Sequence, residues 1–232
     1  VATAVPAERD AVAGVSPGPG RETRLPGATL LRTGALDLLA AGVGPALAAS
    51  SVSAALTAAA LAGTPYGLVV CAGVAGGFQP GAPVGSLVVA DDIVAADLGA
   101  ESPDGFLPVT ELGFGTVSHR PPDSLVREVA ATTGGQVGTV LTVSTVTGSA
   151  ARAAELRARH PLALAEAMEG FGVAEAAGAH GVPVLEIRAV SNPVGPRDRA
   201  AWRIGDALTA LAGAFGKLTP LLESWNGHDR TH

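Results

Sequence analysis

The chain alternates two kinds of segment, and this alternation limits its fold more than any other feature. Short runs of strand character recur: Tyr66–Cys71 ("YGLVVC"), Leu87–Ala96 ("LVVADDIVAA"), Val137–Val146 ("VGTVLTVSTV"), Leu162–Met168 and Val184–Val190 ("VLEIRAV"). They are apolar, and several are β-branched, as buried strands are. Between them lie longer Ala-rich stretches that read as helices: Pro45–Ala62, Ser124–Thr133, Ala150–Arg159, Phe171–Ala179 and Arg199–Phe215. Pro6–Ala13 reads the same way, with proline in its first turn, where a missing N–H costs nothing. Val1–Val5 and Ala35–Ala41 are further strands. Arg21–Gly34 reads as turns around a candidate strand, and Glu101–Pro122 as irregular. Strands alternating with helices imply a sheet covered on both faces, a three-layer α/β/α architecture.

The 232 residues carry no Pro/Ser-rich linker and no fixed-period repeat. The expectation is one domain over residues 1–222 and a polar tail over 223–232. No apolar run reaches the ~18 residues of a membrane span without interruption. A net charge of −6 and an aromatic content of 3% argue against a nucleic-acid partner, which asks for a basic stripe and stacking platforms. Cys71 is alone, which suits a reducing compartment, and no signal-type segment stands at Val1, so a cytoplasmic location is expected. His119, His160 and His180 are isolated, with His228 and His232 in the tail, so no metal site is expected. No Ser-His-Asp arrangement is supported. "GVAGG" lacks the dinucleotide spacing, and in "GVGPAL" Pro45 and Leu47 fit it poorly, so no cofactor is expected.

Chemistry is expected at strand ends. Four carry suitable residues. Glu169 sits in "AEAMEGFGVAEAA", between two apolar runs. An unpaired buried carboxylate costs several kcal/mol, on the order of a lost ion pair, or takes up a proton. Glu169 therefore has a partner inside the protein or awaits one from outside, unless it merely caps the following helix. Glu8 is by pattern a first-turn acid beside Arg9 and Asp10. Asn192 begins an Asn-Pro turn. Gly73–Gly77 reads as a tight strand-to-loop turn where backbone can approach a ligand closely.

At these places the sequence resembles the purine nucleoside phosphorylase/hydrolase superfamily, and within it the nucleosidases acting on 5′-methylthioadenosine and S-adenosylhomocysteine. The matching stretches are "AVPAERDAV" (4–12), "AAGVGPALAAS" (40–50), "VVCAGVAGGF" (69–78), "AEAMEGFGVAEAA" (165–177) and "IRAVSNPVG" (187–195). Five in register span essentially the whole chain. The resemblance implies a mixed central sheet and cleavage of a glycosidic bond in a small nucleoside. It implies that Glu169 accepts bonds from ribose hydroxyls and stabilises a cation-like sugar, that Glu8 activates water, and that Asn192 meets the base. It implies a base and ribose pocket lined by Ala75, Gly76, Gly77, Phe78, Val146, Thr147, Ala167 and Met168. Phe106 is a further lining candidate, and the cation for any anionic tail has no assignment. The family's base-stacking aromatic is missing near Val146 and Thr147. Asn192 stands where adenine-specific members have Asp, and "NPVGPRDRAAW" resembles a branch that releases a 6-oxopurine from a nucleoside bearing an aromatic carboxylate. The resemblance also implies a dimer or larger homo-oligomer, with Glu101–Pro122 the candidate contact. Phosphorolysis and non-catalytic nucleoside binding remain the alternatives.

Overall fold

A computed structural model describes residues 1–16, 18–34 and 36–225. In chain order its elements are β1 (Ala2–Thr3), α1 (Pro6–Ala13), β2 (Arg21–Leu25), β3 (Ala28–Thr33), β4 (Leu36–Ala40), α2 (Pro45–Leu61), β5 (Val69–Gly77), β6 (Leu87–Ala95), β7 (Gly99–Ser102), β8 (Gly105–Pro108), β9 (Ser118–His119), α3 (Asp123–Thr133), β10 (Gln136–Thr142), α4 (Ala150–Arg159), β11 (Ala163–Ala167), α5 (Gly170–Ala179), β12 (Val184–Pro193) and α6 (Ile204–Ser224), with a 3-10 turn at Arg199–Ala201.

The strands form a mixed central sheet in the order β11-β10-β6-β12-β5-β1-β4-β3-β2. β12 runs parallel to β5 but antiparallel to β6. The far end of β5 bends to pair with β11, Ala165 opposite Gly77 and Glu166 opposite Gly76. This contact closes β5, β12, β6, β10 and β11 into a ring. Helices cover both sides. Val52 and Ala55 of α2 share a cluster with Phe171 and Ala174 of α5. Val12 of α1, Leu125 and Val129 of α3, and Leu211 and Phe215 of α6 share a second one. Each large apolar side chain buried this way contributes roughly 1.5–3 kcal/mol.

Three local expectations change. The glycines after Cys71 stay in strand β5 instead of leaving it as a turn. Neighbouring strands supply their backbone partners, and the missing Cβ atoms make room for other groups: one at Gly77 would lie 2.1 Å from the Ala82 carbonyl oxygen. Glu101–Pro122 is more regular than its pattern suggests, since β7 and β8 form a hairpin and β9 adds to β6. Lastly, Asp198 Oδ1 accepts from Ala200 N at the 3-10 turn, so the last helix begins at Ile204 and runs on through Ser224. Trp225 packs against the core beyond it. Residues 226–232, which include His228 and His232, lie outside the described residues.

Candidate active site

The C-terminal ends of β5, β11 and β12 surround a cleft of about 960 Å³, counting the part open to solvent. Glu8, Ala75, Gly76, Val146, Thr147, Ala167, Met168, Glu169 and Asn192 all line it. Gly77 and Phe78 do not. Gly77 is held against the Ala82 backbone, and Phe78 is buried with Val94, Leu141 and Leu156 in a core cluster. Phe106 is also elsewhere, with the Arg159 guanidinium 4.4 Å above its ring.

Glu169 has the internal partner that its apolar surroundings demand. The residue is 5% exposed. Its Oε2 accepts from Arg188 Nη2 at 3.3 Å, and its Oε1 accepts from Gly44 N at 3.2 Å. Gly44 precedes α2, so the carboxylate lies at that helix's N-terminus, where the backbone dipole favours negative charge. Gly172 makes this approach feasible, because a Cβ there would lie 2.0 Å from the Pro45 carbonyl oxygen. The "MEGFG" glycines thus pack α5 against the start of α2.

Behind Glu169 stands a buried ionic cluster. Arg188 Nε donates to Glu186 Oε1 at 2.8 Å, and its Nη2 also donates to Cys71 Sγ at 3.2 Å. Burial opposes the charge on Arg188, but the acidic groups around it outweigh that effect and hold its pKa well above the ordinary value. Burial pushes the Glu186 carboxyl up, against the pull of Arg188. It pushes the Cys71 thiol up as well, so the sulfur stays neutral. Gly170 leaves room for the Glu186 carboxylate, which would lie 2.2 Å from a Cβ at that position. The cluster had one signal in the sequence. Glu186 and Arg188 are two apart in an otherwise apolar strand, so they share one face.

Glu8 is not the exposed first-turn acid that its pattern suggests. It is 4% exposed. Its Oε2 accepts from Ala4 N and Val5 N at 2.9 and 3.3 Å, and its Oε1 from Val74 N at 2.8 Å. The last bond follows from the shortness of β1. That strand ends at Thr3 and leaves the β5 edge open at Val74, where the Glu8 carboxylate takes the place of a strand carbonyl. A Cβ on Gly73 would meet both Glu8 Oε1, at 2.6 Å, and Arg188 Nη1, at 2.8 Å. Glycine here lets Glu8 and the Arg188 cluster converge on one wall.

A bulge aims Asn192. The register of β12 against β5 slips between Val190 and Asn192, leaving Ser191 as the extra residue. Asn192 Oδ1 accepts from Ser191 Oγ at 2.8 Å, and its Nδ2 donates to Pro193 O at 3.0 Å. Across Gly76, on β11, is Glu166, an acid that sequence reasoning did not single out. It is 6% exposed, and both its oxygens accept from Thr147, one from the amide and one from the hydroxyl. Burial raises the Glu166 pKa, and these two bonds oppose the rise. Its only sequence signal was an acid within an apolar strand.

The cleft is therefore lined by three carboxylates and an amide. Among the described residues, no group of three or more His, Cys, Asp or Glu is arranged to hold a metal, and no helix is long and apolar enough to cross a membrane. The family model described as "Phosphorylase superfamily" matches residues 24–219. The futalosine hydrolase of Streptomyces coelicolor is 73% identical over 231 residues, covering 99% of this chain and 98% of the relative. That of Acidothermus cellulolyticus is 48% identical, covering 94% of this chain and 88% of the relative. In fold, the chain is similar to the solved futalosine hydrolase of Helicobacter pylori, with a TM-score of 0.76 and 19% identity over 95% of this chain and 96% of that one. The chain belongs to the phosphorylase superfamily and, within it, to the futalosine hydrolase family.

Proposed function

We propose that this protein hydrolyses the N-glycosidic bond of futalosine, releasing hypoxanthine and dehypoxanthine futalosine in menaquinone biosynthesis. The observation that carries the reading is the convergence of Glu8, Glu169 and Asn192 on one cleft in a chain 73% identical to a futalosine hydrolase. Cleavage at a ribosyl carbon builds positive charge on the sugar. Glu169 offers negative charge and lone pairs to the ribose hydroxyls, and in a dry site such charge complementarity is worth far more than in water. Arg188 and Gly44 hold it in place. Glu8, fixed by three backbone donors, orients and deprotonates the attacking water. Met168 and Ala167 pack beside the sugar.

The Asn192 amide donates to the N7 and O6 side of a 6-oxopurine. It cannot deliver a proton as a protonated acid would. The leaving base is stabilised by hydrogen bonding, and its proton comes from water. Gly76 gives the base a flat floor between Asn192 and Glu166.

Hydrolysis is favoured over phosphorolysis because of where the charges lie. Phosphate needs cations beside the ribose. The inner wall carries Glu8, Glu166 and Glu169, while Arg188 is already engaged with Glu169 and Glu186. The buried, unpaired Cys71 suits a cytoplasmic enzyme, and a homo-oligomer is the expected assembly. The test is hypoxanthine release from futalosine, with inosine and methylthioadenosine assayed beside it, with and without phosphate. Rapid, phosphate-independent release from futalosine alone is expected. A strict phosphate requirement, or preference for methylthioadenosine, would overturn the reading.

A further inference from the structure

Opposite the acidic inner wall, the cleft has a differently built rim. It is formed by Val146, Pro196, Arg197, Trp202 and Ile204, of which all but Trp202 are exposed. Among the described residues lining the cleft, Arg197 is the sole cation and Trp202 the sole aromatic. The two are neighbours: the Arg197 guanidinium carbon lies 5.3 Å from the Trp202 ring centroid. No carboxylate of the described residues lies within salt-bridge distance of Arg197. Its aliphatic stem passes over Gly148, 3.8 Å from where a Cβ would stand. The segment is fastened at its end, where Arg203 N donates to Ser191 O at 2.8 Å, next to Asn192.

We infer that Arg197 and Trp202 form the subsite for an aromatic carboxylate at the sugar end of the substrate. The inference rests on the proposed function, which supplies a ligand of that class. Three carboxylates on the inner wall repel an anionic substrate, so a compensating cation must meet its charged end. A free guanidinium matches a carboxylate with two parallel N–H donors. The indole beside it, with the Arg197 and Arg199 guanidinium carbons 5.3 and 5.8 Å from its centroid, offers its remaining surface to the attached ring at low conformational cost. With the base held at Asn192 and the ribose at Glu169, the aryl group leaves the ribose towards the rim. The Arg197 stem crossing Gly148 also ties the subsite to the turn that follows Thr147, and so to the wall around the base.

The test compares futalosine with its carboxyl methyl ester in the wild type, Arg197→Met and Trp202→Ala proteins. The wild type is expected to favour the acid about tenfold in kcat/KM, mostly through KM, with a preference that shrinks as salt rises. Arg197→Met should treat acid and ester alike. Trp202→Ala should raise KM for both. If Arg197→Met keeps the wild-type preference, or loses equal factors on both compounds, the inference is overturned. If the wild type releases no hypoxanthine from futalosine, the parent reading fails instead. The subsite is then judged without turnover, in a Trp225→Phe background, by quenching of Trp202 fluorescence with 3-acetylbenzoate. Saturable quenching lost in Arg197→Met upholds the subsite, and quenching indifferent to Arg197 overturns it.

Discussion

The inner wall and the rim of the cleft carry similar chemistry under opposite conditions. On the inner wall an arginine is 1% exposed and touches two carboxylates. At the rim an arginine is exposed and touches an aromatic ring, with no carboxylate of the described residues in reach. The buried arginine is committed to the fold and can only position Glu169. The exposed one has no carboxylate of the described residues to neutralise and stands open to solvent and ligand. A charge is available to a ligand only where the protein has not already used it to neutralise its own interior.

The comparison is broken most severely by Arg188→Met. That change leaves Glu169 and Glu186 buried without their cation, and such breaks cost about 3–5 kcal/mol. Chemical denaturation is expected to show this loss. Retained stability would mean that the cluster is not needed to hold the wall. Glu169→Gln should keep the fold, because the amide oxygen still accepts from Gly44 or Arg188. It should lower kcat by about 10²–10³-fold, the scale for losing one preorganised charge contact. Unchanged turnover in a folded, substrate-binding variant would remove Glu169 from the mechanism. Gly170→Ala pushes a methyl group into the Glu186 carboxylate, and overpacking of this kind costs about 1–3 kcal/mol, measurable by thermal melting.

Smaller effects sharpen the contrast at the base. Asn192→Asp should move preference from 6-oxopurine towards adenine nucleosides by about tenfold, read as a ratio of kcat/KM values. Glu166 supplies the mildest test. Burial raises its pKa above the ordinary value of 4.5, so the folded state holds that proton more tightly than the unfolded chain does. Its contribution to stability is present in acid and is lost as pH rises through the raised value. Glu166→Gln removes that dependence. The stability of the variant relative to the wild type should therefore improve as pH rises from below the ordinary carboxylate value through the raised one. A difference that stays flat would show that the two Thr147 bonds cancel the effect of burial.

Local pattern in the sequence was enough to set α1 and α4 at their observed bounds and most strands within a few residues, because periodicity and proline punctuation act over short range. The resemblance of five short stretches was enough to name Glu8, Glu169 and Asn192 as candidates, and the fold brings the three to one cleft. Pattern alone misread Glu8 as a surface acid. Its burial depends on β1 ending early and exposing the Val74 amide, a fact about strand pairing between distant segments. Pattern also turned the β5 glycines into a loop, since it cannot show that Gly73 faces Glu8 and Arg188, or that Gly77 faces Ala82.

From sequence came the alternation of strands and helices, the layered fold it implies, and the candidacy of Glu8, Glu169 and Asn192, but not that of Glu166. Only the tertiary structure decided which charges are spent inside and which face the cleft. Arg188 and Arg197 are the same residue type nine positions apart; the apolar strand run around Arg188 hints at burial, but the partners of each come from distant segments. The difference comes from burial. One guanidinium is enclosed by the carboxylates of β12 and the start of α5, and the other is left beside an indole at the open edge, where water and ligand can reach it.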